Sequence, residues 1–280
     1  MNATTIRRWL VGEFTWRRVV RSAIEIYVIL FVIGACCPYK LIFQPHTASY
    51  GKLPGLFMLE TADSNRIAAV YLPVTNAAYT LLYCHGNAED IGDLSYSSLF
   101  ELYNLCGLGV VAYDYRSYGL STGKPTEANS YADAELVFAH MTNALGIPPG
   151  RIIMYGRSLG CAMAVHLAAS RPVAGLVLES PFYTAYRVVM PIPIMPMDRF
   201  RNKDKIGKVK CPVFIIHGQS DTIIKPWHGR ELFELAHEPK TNWWIAKAGH
   251  NDLVEVAGSD YPERIKEFVG MVASNRAVRR

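Results

Sequence analysis

The stretch Gly156-Arg157-Ser158-Leu159-Gly160 decides how this chain of 280 residues folds. It follows an apolar run from Arg151 to Tyr155 and precedes a run of small residues that begins at Cys161. A serine in this context lies on a sharp turn between a strand and a helix, where its hydroxyl is exposed and its backbone strained. Both glycines are needed, because side chains two residues to either side of the serine would collide. The stretch therefore predicts a strand-turn-helix unit with Ser158 as a nucleophile.

The rest of the sequence alternates apolar strands with helical segments. From the third strand onward the strands are short and rich in Val, Ile and Tyr, which is typical of a parallel sheet with helices on both faces. Only residues 61–65 separate the first two strands, so these predict a hairpin at one edge. The predicted strands are Gly55 to Glu60, Arg66 to Leu72, Thr80 to Cys84, Gly109 to Tyr113, Arg151 to Tyr155, Gly175 to Leu178, Pro212 to Ile216 and Asn242 to Ile245.

Helical patterns fill the intervals between the later strands, except for one insertion. Residues 182–208 contain three prolines and three methionines and are too rich in Pro for the interior of a helix. We expect a short lid here, whose methionines either line the lip of an apolar pocket or pack over the sheet edge. The predicted helices are Leu94 to Leu105, Thr126 to Leu145, Leu159 to Ala169, Pro226 to Ala236 and Tyr261 to Ser274.

Two residues after the nucleophile carry the chemistry that a serine requires. A serine hydroxyl needs a base, and that base needs an orienting carboxylate, to act as a nucleophile at neutral pH. At a turn of this kind the chain order is Ser, then Asp or Glu, then His. Asp221 and His250 each follow a predicted strand, at the sheet edge where sites of parallel sheets form. The sequence predicts them as partners of Ser158, with Glu179 and Asp252 as rival carboxylates.

The turn His85-Gly86-Asn87 follows the third strand, the position that supplies a second hydrogen-bond donor to a developing oxyanion. We assign the oxyanion hole to the backbone N–H groups of Asn87 and Leu159, although a simple tight turn would also contain His-Gly. His85 and His217 each end a strand before a glycine and are interpreted as turn residues. The remaining histidines are assigned to the surface or the core: His46, His140, His166, His228 and His237.

Charge and cysteine content exclude several classes of protein. The formal net charge is +5, but the segment between the basic N-terminal 38 residues and the last six residues holds 21 basic and 22 acidic side chains. A nearly neutral body argues against nucleic-acid binding. Six cysteines show no spacing that would hold a metal, and no glycine-rich dinucleotide motif follows the first strand. We expect no metal and no cofactor.

The first 39 residues differ from the rest. Five arginines precede the apolar run from Ile26 to Cys37, and within a helix Arg21 and Glu25 would pair on one face. The pattern predicts a membrane anchor, with the body outside the cytoplasm if the segment inserts. A cleaved secretory signal, lipoprotein processing at Cys36, and acylation of Cys36 and Cys37 remain open, as does an ordinary buried helix. Residues 1–39 are assigned to this segment and 40–280 to one globular domain.

Several motifs taken in order resemble a known family. They are His85-Gly86-Asn87-Ala88, Asp114-Tyr115-Arg116-Ser117-Tyr118-Gly119, the stretch around Ser158, Glu179-Ser180-Pro181, His217-Gly218 with Asp221, and Gly249-His250-Asn251-Asp252. The series resembles the membrane-anchored α/β-hydrolase-domain serine hydrolases, which include animal protein depalmitoylases and uncharacterised bacterial members. The resemblance implies the α/β-hydrolase fold, a mostly parallel eight-stranded sheet, a Ser158, Asp221, His250 triad and an acyl ester or thioester substrate.

Three functions are compatible with these residues. The first is a serine hydrolase that cleaves acyl esters or thioesters through an acyl-enzyme intermediate at a membrane. The second is a peptidase or amidase on the same fold, and the third is a binding protein that keeps the fold without catalysis. The complete predicted triad favours the first. The sequence makes no prediction about oligomeric state.

Overall fold

The computed structural model describes residues 15–36, 38–190, 192 and 198–278. The chain divides into two compact units, with the boundary between Ile42 and Phe43. The first unit contains helices α1 (Trp16–Cys36) and α2 (Pro38–Ile42). The predicted pair forms on α1, where Arg21 Nε lies 2.8 Å from Glu25 Oε1. Among the described residues, no helix combines the length and the apolar character needed to cross a membrane.

The second unit is built on an eight-stranded sheet whose strand order is β1-β2-β4-β3-β5-β6-β7-β8. Strands β1 and β2 form the predicted hairpin, and β2 also pairs antiparallel with β4, whereas the remaining pairs are parallel. The α/β-hydrolase fold predicted from the sequence is confirmed. The strands are β1 (Leu56–Glu60), β2 (Arg66–Leu72), β3 (Tyr79–Cys84), β4 (Leu108–Tyr113), β5 (Ile152–Arg157), β6 (Gly175–Glu179), β7 (Val213–Gly218) and β8 (Lys240–Ile245).

The central strands are mostly apolar because helices cover both faces of the sheet. Every residue of β3, β4 and β7 is buried, whereas the edge strands β1 and β8 alternate or are half-buried. The parallel strands β3, β5, β6 and β7 end at one edge of the sheet, where the candidate site lies. The helices of this unit are α3 (Ile91–Tyr96), α4 (Leu99–Leu105), α5 (Glu127–Asn143), α6 (Cys161–Ser170), α7 (Ala185–Val189), α8 (Trp227–Leu235), α9 (Leu253–Ala257) and α10 (Asp260–Val278).

The predicted single helix from Leu94 to Leu105 is wrong. Asp90 caps an earlier start, because its side chain accepts a hydrogen bond from the Asp93 N–H and the Asp93 side chain bonds back. The helix then breaks at Ser98, whose φ of 59° is left-handed. Serines favour caps and turns over helix interiors, so two short helices replace one.

The insertion at 182–208 begins with the short helix α7 and contains two 3₁₀ turns, at Asn202–Asp204 and Ile206–Lys208. Its two arms are joined: Asp198 Oδ1 accepts from the Tyr186 N–H at 2.9 Å, and the Ala185 N–H donates to the Arg199 carbonyl at 2.9 Å. Much of the Pro- and Met-rich part, on which the predicted pocket lip depends, lies outside the described residues, as do Arg7, Arg8 and Cys37. The prolines and methionines of the insertion that lie outside the described residues are Pro191, Pro193, Met195, Pro196 and Met197.

Candidate active site

Ser158 lies directly after β5 with a φ of 50°, a left-handed conformation that is strained for a non-glycine residue. Both flanking positions must be glycine because there is no room for a Cβ atom. A Cβ on Gly156 would lie 2.6 Å from Cys161 Cα, and one on Gly160 would lie 2.0 Å from the carbonyl oxygen of Cys84. The turn thus packs against the end of β3, and helix α6 begins directly after it. At both positions a side chain would collide with backbone atoms, as expected from the sequence.

The structure brings the three predicted triad residues together. His250 Nε2 lies 3.0 Å from Ser158 Oγ, and His250 Nδ1 lies 2.7 Å from Asp221 Oδ2. With Nδ1 donating to the carboxylate, Nε2 is left to accept the serine proton. The two distances lie within the range expected for a nucleophile, its base and an orienting acid. Such an arrangement can transfer a proton from the hydroxyl as the hydroxyl attacks an acyl carbon.

Asp221 is held from several directions. Its Oδ1 accepts from the backbone N–H groups of Ile223 at 2.9 Å and Ile224 at 2.8 Å. His217 Nε2, which also bonds the Ile224 carbonyl, lies 3.3 Å from Asp221 Oδ2. Burial acts to raise the pKa of Asp221, but hydrogen bonds from His217 and His250 outweigh it and bring the pKa below its usual range. The carboxylate therefore stays ionised and fixed opposite the imidazole.

The two rival carboxylates serve other groups. Glu179 is buried at the end of β6, where it accepts from Tyr155 at 2.5 Å, from Tyr261, and from Arg157 Nε at 3.0 Å. Asp252 Oδ1 accepts from the Gly249 N–H at 2.6 Å and so shapes the loop that carries the histidine. Asp221 is thus the carboxylate that meets the imidazole, as the sequence argument favoured.

The loop predicted to supply an oxyanion donor is tied down by side chains. Asn87 Oδ1 accepts from the Tyr118 hydroxyl at 2.5 Å and from the Gln44 N–H at 3.0 Å. Leu159 follows the nucleophile in the 3₁₀ turn Ser158–Gly160. Assignment of the oxyanion hole to the backbone N–H groups of Asn87 and Leu159 stays a prediction, because the position of the substrate oxygen defines it.

His85 directly follows β3 and precedes the turn at Asn87 and Ala88. Its Nδ1 lies 2.7 Å from the Gly86 carbonyl, and burial lowers the pKa of its imidazole to about 4. A ring with this pKa is neutral near pH 7 and carries no charge into the site. His217, by contrast, contacts the acid of the triad, a role the sequence argument missed. Its spacing of four residues from Asp221 was the available signal.

The sequence alone also gave no role to Arg157 and Glu89. Arg157 ion-pairs with Glu89, and its Nη2 donates to Asn251 Oδ1 at 2.9 Å. The position of Arg157 inside the glycine-serine stretch was a signal, but its partners come from distant parts of the chain.

One group among the described residues, His46, Asp90 and Asp93, is compact enough for a metal ion. The oxygens of Asp90 already accept from Ser49 and from the Asp93 N–H.

The chain is similar in sequence to proteins named as hydrolases. A protein-family profile described as "Serine aminopeptidase, S33" (Hydrolase_4) matches residues 75–203. Human α/β hydrolase domain-containing protein 17B is 42% identical over 222 residues, which cover 78% of this chain and 76% of that protein.

Solved structures share the fold. The Pyrococcus furiosus esterase Pf2001 superposes with a TM-score of 0.69 at 19% identity, over 81% of this chain and 98% of that chain. A monoacylglycerol lipase from Paleococcus ferrophilus gives a TM-score of 0.58 at 21% identity, over 74% of this chain and 99% of that one. At these identities the likeness establishes the architecture alone.

Proposed function

The chain belongs to the α/β-hydrolase domain-containing protein family and is a hydrolase, and we propose that it is a serine hydrolase of acyl esters or thioesters. The observation that carries the proposal is the chain of contacts from Ser158 Oγ to His250, 3.0 Å, and from His250 to Asp221, 2.7 Å. A serine, a base and a buried acid at these distances, with the serine on a strained turn, form a nucleophile ready for acyl transfer.

The reaction proceeds in two steps. His250 Nε2 takes the Ser158 proton while the serine oxygen bonds the acyl carbon, and the backbone N–H groups of Asn87 and Leu159 stabilise the oxyanion. The bond from the acyl carbon to the leaving oxygen or sulfur then breaks, and the imidazolium returns the proton to the leaving group. In the second step His250 Nε2 takes a proton from a water while the water oxygen bonds the acyl carbon. The bond from the acyl carbon to Ser158 Oγ then breaks, the imidazolium returns its proton to Ser158 Oγ, and the acid leaves. Asp221 keeps the imidazole oriented throughout.

An ester or thioester substrate is favoured by two considerations. The ordered motif series resembles acyl hydrolases, and two solved structures that share the architecture are named as an esterase and a monoacylglycerol lipase. The description "serine aminopeptidase" of the family profile supports the alternative of amide hydrolysis. The two alternatives share the nucleophile and differ in the leaving group.

A substrate panel separates these alternatives. The full chain and its Ser158→Ala variant are assayed on p-nitrophenyl esters, acyl thioesters and aminoacyl amides of matched acyl length. We expect ester or thioester turnover that the variant loses by at least about a thousandfold. Amide turnover that exceeds ester turnover would replace the proposal with the peptidase alternative. Equal rates for wild type and variant would exclude Ser158 as the nucleophile.

We also propose that the enzyme acts at a membrane through residues 1–39. Five arginines followed by the apolar run from Ile26 to Cys37 support this proposal. The intact mass of the full chain, purified from its membrane fraction, distinguishes an uncleaved anchor from a cleaved signal or an acylated cysteine. A C-terminal topology reporter then gives the side on which the body lies, with the side away from the cytoplasm expected. Recovery of the unmodified chain in the soluble fraction would contradict the proposal.

A further inference from the structure

Arg157 lies between Gly156 and Ser158, and its guanidinium contacts three separate segments of the chain. Its Nε donates to Glu179 Oε1 at 3.0 Å, and its Nη1 ion-pairs with Glu89. Its Nη2 donates to Asn251 Oδ1 at 2.9 Å and lies 3.4 Å from the His250 carbonyl oxygen. The side chain is only 12% exposed, so these partners replace most of its contacts with water.

The contact with Glu89 reaches the loop assigned to the oxyanion hole. One oxygen of Glu89 pairs with Arg157, while the other accepts from the Gly86 N–H at 2.7 Å. Gly86 directly precedes Asn87, whose backbone N–H is the predicted oxyanion donor. The loop leaves no spare room, since a Cβ on Gly86 would lie 2.8 Å from Glu89 and 3.0 Å from Arg157. A shift of the guanidinium would therefore move this loop.

The contact with Glu179 fixes the Nε side of the guanidinium. Glu179 is buried and also accepts from the hydroxyls of Tyr155, at 2.5 Å, and Tyr261. Burial raises the pKa of both tyrosines well above the usual value, so both remain protonated donors to the carboxylate. One end of the network is thereby anchored by Tyr155 in β5 and Tyr261 in α10.

We propose that Arg157 is a positioning residue, which sets the nucleophile, the oxyanion loop and the histidine loop at their working separations. The inference rests on the proposed function of the same site. A planar guanidinium suits this task, because its rigid fork holds several acceptors in a fixed geometry, which the point charge of a lysine does not. Misplacement of reacting groups by about 1 Å costs roughly a hundredfold in rate, so the network acts on turnover more than on substrate affinity.

A cavity beside the network provides a test. It has a volume of about 280 Å³, and its lining includes Glu89, Arg157, Glu179 and Asn251. Truncation of Arg157 would enlarge this space and leave two carboxylates facing it. Free guanidinium ion matches the lost group in shape, charge and donors, and it would occupy the space between them.

The experiment compares Arg157→Ala and Arg157→Lys with wild type in the full chain. We expect kcat on the best ester to fall roughly 30- to 100-fold in the alanine variant, with KM changed less than about threefold. Guanidinium chloride at tens of millimolar should raise the kcat of the alanine variant at least about tenfold, whereas sodium chloride at equal ionic strength should not. Lysine should recover only part of the rate, because it cannot span all the acceptors.

Arg171→Ala is the matched control, because Arg171 pairs with Glu135 at 2.7 Å at an exposed position. Its kcat should stay at the wild-type value and should not respond to guanidinium. If Arg157→Ala does not fold, Asn251→Ala tests the link to the histidine loop alone, with a fall in kcat of roughly three- to tenfold expected.

Three results would overturn the inference. They are an unchanged kcat in folded Arg157→Ala, a loss that sodium chloride and guanidinium restore equally, and, where that variant does not fold, an unchanged kcat in Asn251→Ala. Failure of the proposed function gives a different result, because wild type would then lack turnover that depends on Ser158.

Discussion

The carbonyl oxygen of Cys84 lies 2.0 Å from the point that a Cβ on Gly160 would occupy. Cys84 ends β3 and directly precedes His85, whereas Gly160 ends the turn that carries Ser158. The close approach brings the nucleophile turn against the base of the loop assigned to the oxyanion hole. Gly160 is thus required because the nucleophile turn and the end of β3 lie too close together for a side chain at this position.

Gly160→Ala should destabilise the protein and abolish turnover. The atom in the way belongs to the backbone of a central strand and cannot rotate aside, so the strand or the turn must move. We expect a loss of about 3 kcal/mol or more in the free energy of unfolding, measured by urea titration. Gly150→Ala is the control, because nothing lies within 4 Å of its added Cβ. Equal stability of the two variants would refute the steric argument.

Asp221→Asn should lower kcat by roughly 10³- to 10⁴-fold. The amide can still accept from Ile223 and Ile224, but it no longer holds the imidazole in the tautomer that takes the serine proton. Steady-state kinetics on one ester measures the effect. Asp252→Asn provides the comparison, since its remaining oxygen still accepts from Gly249, and we expect less than about a threefold loss. A larger loss in the second variant would reverse the assignment of the acid.

His217→Leu should reduce kcat by roughly tenfold, because it removes a hydrogen bond that lowers the pKa of Asp221 and steadies its carboxylate. His217→Gln places an amide N–H near the lost Nε2 and should recover most of the rate. Thermal unfolding first shows whether the two variants are equally stable, and steady-state kinetics then gives the kcat of each. If the leucine variant folds and keeps full activity, the contact of His217 with Asp221 has no part in catalysis.

Asp114→Asn should change how stability depends on pH. Burial raises the pKa of Asp114 to about 7, against the influence of hydrogen bonds from Tyr50 and the Ile91 N–H. An unfolded carboxyl ionises above about pH 4, so between about pH 4 and 7 the folded state binds the extra proton and wild-type stability falls as pH rises.

The asparagine variant has no carboxyl that binds this proton, so its stability relative to wild type should increase by about 2–4 kcal/mol from about pH 4 to 7. Urea unfolding of both proteins at several pH values measures the difference, in which contributions common to both cancel. A difference that stays constant with pH would show that Asp114 is ionised in the folded protein at these pH values.

The sequence predicted the parts of the site that follow from local chemistry. The strained turn at Ser158 depends on two glycines within five residues, and the order of Asp221 and His250 follows from the succession of strands. The positions of these residues at strand ends needed only the alternation of strands and helices. For the same reason the sheet was predicted closely, including the hairpin at its edge.

The features that were missed depend on contacts between distant segments. The network of Arg157 joins Glu89, Glu179 and Asn251, which come from different loops and strands and have no common spacing in the sequence. The break at Ser98 was missed for a local reason, because the apolar pattern continues across it while the serine backbone turns left-handed.

Peptide mapping of the full chain after reaction with a fluorophosphonate identifies the nucleophile. We expect one covalent adduct on the peptide that contains Gly156 to Gly160, located on Ser158, and no adduct in Ser158→Ala. We also expect much slower labelling of His250→Ala, because the hydroxyl loses its base. An adduct at another residue, or equal labelling of wild type and Ser158→Ala, would show that Ser158 is not the nucleophile.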